Sequence, residues 1–247
     1  NWWDKVDIKY HANMAIKVER RNSVKNFVWP NNELSCKPPV QLNGLHLIQN
    51  KIELSLFSGG LTLSNCQFST DTTFIANSKK EYSSLLFISR GKIHDLFFDG
   101  KFDTIAIRDT SPKTTAIVHS NNGFSCINLE LRGISAPISF DFSSTQRISN
   151  LQLQSVSKHN QYIKFKNCQF ETILLSGKVN GKIIAPKSTI EQWSSGSDLN
   201  GSINLSGSAI NKFSWEYSEL SGDLNLTEVA FKTAPIFFGS TLGQKVD

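Results

Sequence analysis

The sequence contains no apolar run of 18 residues, which leaves no membrane-spanning helix within it. It shows no signal peptide built from a charged, an apolar and a small-residue stretch. Charge of either sign is sparse: 26 Lys and Arg stand against 21 Asp and Glu, a net of +5. Neither an acidic disordered tail nor a strongly basic nucleic-acid platform fits that balance. Apolar residues make up only 39% of the 247, with Ser, Asn, Thr and Gly filling the gap. That composition excludes a coiled coil, a collagen and a disulfide-rich mini-protein, while the length suffices for a sizeable core.

Cysteine is scarce. Cys36, Cys66, Cys126 and Cys168 form no CxxC pair, and their spacings match no small secreted framework. Asn-Cys-Gln-Phe occurs at 65–68 and again at 167–170, which places Cys66 and Cys168 in equivalent core slots as free thiols. Free thiols favour a reducing, cytoplasmic setting. Asn1-Trp2-Trp3 also suits a place beside a membrane anchor, because Trp favours the membrane interface. The five His are scattered without ligand spacing, and the sequence holds no GxSxG, HExxH, Walker, GxGxxG or EF-hand motif. No metal site and no cofactor are therefore expected, and the chain does not read as an enzyme.

Residues 1–30 form a basic N-terminal strand arm. From Val6 to Val18 every even position is apolar and every odd one but Ala15 is polar. Period 2 predicts one strand half-buried on one face. Arg20–Ser23 reads as a turn, and Val24–Trp29 as a second strand ended by Pro30. Six cations stand against three carboxylates in the arm, so it suits a weak contact with anionic lipid or the capping of one end of the fold.

The second half repeats. Gly181, Gly201 and Gly222 open G-K-I-I-A, G-S-I-N-L and G-D-L-N-L, at steps of 20 and 21. Behind them one apolar mask recurs: Ile163, Phe165, Phe170 and Ile173; Ile183, Ala185, Ile190 and Trp193; Ile203, Leu205, Ile210 and Phe213; Leu224, Leu226, Phe231 and Ala234. Two before each third member stands a small residue, Cys168, Ser188, Ser208 or Val229. Trp193 and Phe213 fall in this inward ladder and read as core stacking.

This small-x-large spacing, with its five-residue beat and 20-residue coils, resembles pentapeptide-repeat proteins. The resemblance covers about residues 160 to 247 and lacks the repeated Asp or Asn before the large residue. It implies a right-handed quadrilateral β-helix with small and large residues stacked inward. Some members of that family mimic DNA with a strongly acidic rod. Here residues 160–247 hold eight Lys and eight acidic residues, so that role and nucleic-acid partners are set aside.

The first half reads as looser coils of the same solenoid. Ala116, Val118, Phe124, Ile127 and Leu129 map onto Phe140, Phe142, Ile148, Leu151 and Leu153 at a step of 24. Leu86, Ile88, Ile93, Leu96 and Phe98 fit a similar mask, with insertions expected at Ser69–Ser84, Asp109–Thr115 and Ser155–Gln161. The expected fold is all-β: a right-handed parallel β-helix over residues 31–247 behind the arm. Roughly nine coils would make a rod of about 40 Å at one strand spacing per coil.

The densest polar cluster lies at 94–109. With Leu96, Phe98, Ile105 and Ile107 inward, Asp95, Asp103 and Arg108 point outward, and Asp99 and Asp109 fall at corners. Asp95, Asp99, Asp103, Arg108 and Asp109 are thus the candidate binding residues. The first functional reading is a non-catalytic scaffold or protein-interaction module of a larger, bacterial protein, contacting another protein or a flanking domain. The alternative is a glycan-binding or glycan-cleaving β-helix that uses the Asp/Arg cluster.

Overall fold

The computed structural model describes residues 39–246 apart from 49, 58, 78–80, 113–115, 122, 136–137, 157–161 and 244–245, and the backbone of 6–11 and 15–20. The three tryptophans before residue 30, Cys36 and the strand expected over Val24–Trp29 lie outside the described residues. Parallel coils stack into an all-β solenoid, as the sequence leads one to expect, with about eight turns against the roughly nine expected. The paired strands fall into two long ladders and a narrow edge between them. A broad face runs through Val40–Asn43, Leu61–Ser64, Ser84–Ser89, Lys101–Arg108, Ser125–Arg132, Arg147–Gln154, Gln169–Ser176, Thr189–Gly196 and Ala209–Glu216. A narrow edge holds two-residue strands such as Gln67–Phe68 and Lys92–Ile93 in the early coils, and Val179–Asn180 and Leu199–Asn200 in the late ones. A second face carries nine strands from Lys51–Glu53 to Leu224–Asn225.

Alternation drives this arrangement. In Ile138–Phe142 the first, third and fifth residues are buried and the others half-exposed. One coil alone would leave that inner face wet, whereas stacking covers it, at about 1.5–3 kcal/mol for each large apolar side chain buried. Phe98, Phe124, Phe142 and Phe165 stack from coil to coil with centroids 6.0, 5.9 and 5.5 Å apart. Ile163, Ile183, Ile203 and Leu224 form another inner ladder.

The late coils keep a five-residue rhythm. Buried pairs fall at Cys168 and Phe170, Ile173 and Leu175, Ile183 and Ala185, Ser188 and Ile190, Trp193 and Ser195. On the narrow edge Val179 is buried alone, whereas Leu199 and Leu220 each pair with a buried serine, Ser197 and Ser218. The repeated glycines also gain a physical reason. A Cβ on Gly201 would lie 1.6 Å from the carbonyl oxygen of Gly181, and one on Gly222 would lie 2.2 Å from that of Gly201. Successive coils touch backbone to backbone there, so only glycine fits.

Several registers differ from the sequence reading. Val118 pairs with Phe140, Cys126 with Ile148 and Leu129 with Leu151, a step of 22 rather than 24. A slip of two preserves inward and outward alternation, so the apolar mask matches equally well at both steps. Leu86 and Ile88 lie on the broad face, whereas Ala116 and Val118 lie on the second face. Ser69–Ser84 is no simple insertion, because it contains the strand Thr72–Ile75 with Phe74 buried. In the last coil Ser214 pairs with Ile236, which carries the ladder past Ala234.

The two Asn-Cys-Gln-Phe segments share a corner conformation, with Asn65 and Asn167 both at φ 52°. They serve different corners, however. Gln67–Phe68 belongs to the narrow edge, and Gln169–Ser176 to the broad face. The N-terminal pattern is a hairpin rather than one strand: Val6–His11 pairs antiparallel with Ala15–Arg20. The second of these lies parallel to Val40–Asn43, so the broad-face sheet extends past the first coil.

Candidate functional site

Outward positions on the second face repeat at coil spacing, and one such row is chemically mixed. Phe97, His119, Asp141 and Lys164 are successive rungs. The Phe97 and His119 rings stack at 4.7 Å with planes 9° apart. Asp95 sits one position before the strand Leu96–Asp99 and accepts a 2.7 Å hydrogen bond from the Ile117 amide on the next coil. Its other oxygen lies 3.8 Å from Nε2 of His119. Lys164 Nζ stands 4.0 Å from Asp141.

Electrostatics binds this row together. Partial burial works to raise the Asp141 pKa, yet the Ser143 hydroxyl and amide, then Lys164 and His119, hold it below the ordinary carboxylate value. Tyr162 is pushed up by burial and by the charges of Asp141 and Asp95. Neighbouring coils thus satisfy one another in a shared outer network. Sequence reasoning misses His119, Asp141, Tyr162 and Lys164. The signal that finds the row is the 22-residue step, which stacks 97, 119 and 141.

The five residues singled out from the sequence are spread over two faces. Asp95 joins the row just described. Asp99 ends the same strand and lines a cleft of about 430 Å³ with Glu81 and Lys101. Asp103 sits where the broad-face register skips between Phe102 and Thr104, accepting a 2.7 Å bond from the Thr104 hydroxyl. Arg108 ends that strand and pairs with Glu130 of the next coil, which raises its pKa. Asp109 turns the following corner at φ 48°. Leu96, Phe98, Ile105 and Ile107 point inward as expected.

Cys66, Cys126 and Cys168 are free and buried. Burial pushes their pKa values up to about 11, 12 and 12, so all three are thiols at neutral pH and poor nucleophiles. Trp193 and Phe213 stack in the core with centroids 5.8 Å apart. Among the described residues no group of three His, Cys, Asp or Glu is gathered for a metal ion. Comparison with protein-family models, with curated proteins and with solved structures finds no match for this chain.

Proposed function

We propose that this chain is a non-catalytic scaffold, an interaction module of a larger protein that offers rigid outer faces to another protein or a flanking domain. One observation carries the reading. Among the described residues the inward side chains form one continuous core from Val40 to Leu224, and the paired strands of the broad and second faces hold their outer side chains at coil spacing. A partner then meets a preformed surface and loses little ordering entropy. The same reading takes the late coils as quadrilateral and pentapeptide-like, supported by their paired inward residues. It takes the N-terminal hairpin as the cap of the first coil, supported by its pairing to Val40–Asn43.

The test is a quantitative pull-down with the intact chain from lysate of its source, followed by hydrogen-exchange footprinting of the complex. One protein retained near stoichiometry, with protection confined to outer strands, is expected. An empty pull-down, or protection away from the coils, would overturn the scaffold reading.

A further inference from the structure

Beyond that reading, one recess on the solenoid is built unlike the surface around it. A cleft of about 560 Å³ opens where the second face turns into the broad face. Its axis is a single ladder: Lys101, Ser125, Arg147 and Gln169 stand on four successive coils in strict register. Three rung steps span about 14 Å, and the two cations stand about 10 Å apart. The ladder continues through Thr189, Ala209 and Ala230, where no charge occurs. The charge is therefore local to the cleft rather than a general property of this outer row.

Two corner turns wall the cleft, one at Tyr82 (φ 49°) and one at Asn167 (φ 52°), and the corner Ser143–Gln146 lies between them. Lys166 adds a third cation and has no partner among the described residues. Among the described residues no carboxylate lines the cleft. Lys101 and Arg147 do pair with Glu81 and Glu171, which sit outside the lining. Their side chains remain about half exposed, at 49% and 51%, and exposed pairs of this kind are weak. An incoming anion can compete for both cations at little cost.

The rest of the lining is mostly hydroxyl and carboxamide, groups that both donate and accept. That chemistry matches a chain of sugar hydroxyls. It fits a single nucleic-acid strand poorly, because the lining offers one aromatic ring rather than the succession of stacking platforms such a strand uses. Tyr82 is the aromatic residue of the lining, and Lys101 Nζ already stands 5.8 Å from its ring centroid.

We propose that this cleft binds an acidic oligosaccharide lying along the solenoid axis, its carboxylate or sulfate groups on Lys101, Arg147 and Lys166 and its hydroxyls on the Ser, Gln and Asn side chains. The site is separate from the Asp95 row and from Arg108.

The experiment is isothermal titration of the intact chain with oligogalacturonate and with a sulfated heparin oligosaccharide, to tell carboxylate from sulfate. A neutral mannan oligosaccharide, polyglutamate and oligo-dT serve as comparators. At least one acidic sugar should bind, more weakly as salt rises. The variant pair Arg147→Gln with Lys166→Gln should weaken it at least about tenfold, since charged hydrogen bonds are lost. Lys51→Gln, on the second face, should leave it unchanged. Lys166→Gln alone, at an exposed unpaired position, keeps the test open should the double variant misfold. Failure of both acidic sugars to bind, equal binding of the neutral sugar, polyglutamate or oligo-dT, or full affinity in the cleft variants would each overturn the proposal.

Discussion

Trp193 is fully buried, and its indole N–H finds no acceptor among the described residues. Its ring lies 5.8 Å from Phe213 and 6.5 Å from Trp215, both stacked nearly parallel to it. The neighbouring inward slot of the same coil holds Ser195, directly under Trp215 in the ladder. A small residue there makes room for two indoles, so volume is balanced across slots rather than within one. Ring contacts are favourable at this residue, and the orphan N–H is a cost of about 1–3 kcal/mol. Trp193→Ala should therefore destabilise by about 3–5 kcal/mol through its cavity. Trp193→Phe, which keeps a ring and removes the orphan donor, should cost less than about 1.5 kcal/mol. Urea unfolding midpoints of the two variants check this. Equal losses would mean that a phenyl ring recovers nothing in this slot and would overturn the account.

Between elements, the closest approach in the solenoid is the glycine ladder. Gly201 has no room for a methyl group, because the Gly181 carbonyl oxygen occupies the place a Cβ would take. Gly196 ends the strand Thr189–Gly196 and has open space at the same point. Gly201→Ala should thus force its coil away from the one below and cost about 3 kcal/mol or more, whereas Gly196→Ala should be neutral or gain a few tenths. Thermal unfolding of both variants measures it; similar losses would show that backbone entropy rather than contact governs both positions. The same ladder explains why the second half is legible in the sequence. A glycine forced by contact leaves a sharp mark every coil, and it fixes the register of Ile183, Ile203 and Leu224. The first half offers no such mark. There the mask rests on alternation alone, which a slip of two leaves intact, so it matches Val118 to Phe142 where the fold pairs it with Phe140. The row of Phe97, His119 and Asp141 stays hidden for that reason. The cationic cleft is hidden further still, because its lining comes from several coils and becomes adjacent only when each register is right.

For the whole molecule, stability is a sum over neighbouring coils rather than a property of one compact core. Middle coils have two neighbours. Phe102, Phe124 and Ile148 are wholly buried between rungs on either side. Among the described residues the last coil has one. Ile236, Phe237 and Phe238 stay 52%, 37% and 58% exposed, and their strand pairs with Ala209–Glu216 alone among the described residues. Opening that coil uncovers little new apolar surface, so it needs far less free energy than opening the middle. Native-state hydrogen exchange on the intact chain should resolve this as a gradient. Amides of Lys101–Gln154 should exchange only through near-global unfolding, with the steepest urea dependence. Amides of Ile236–Phe238 should exchange orders of magnitude faster and almost independently of urea. A uniform protection along the axis would instead show that the stack unfolds as one cooperative unit, with coil-to-coil coupling stronger than the stability of any coil.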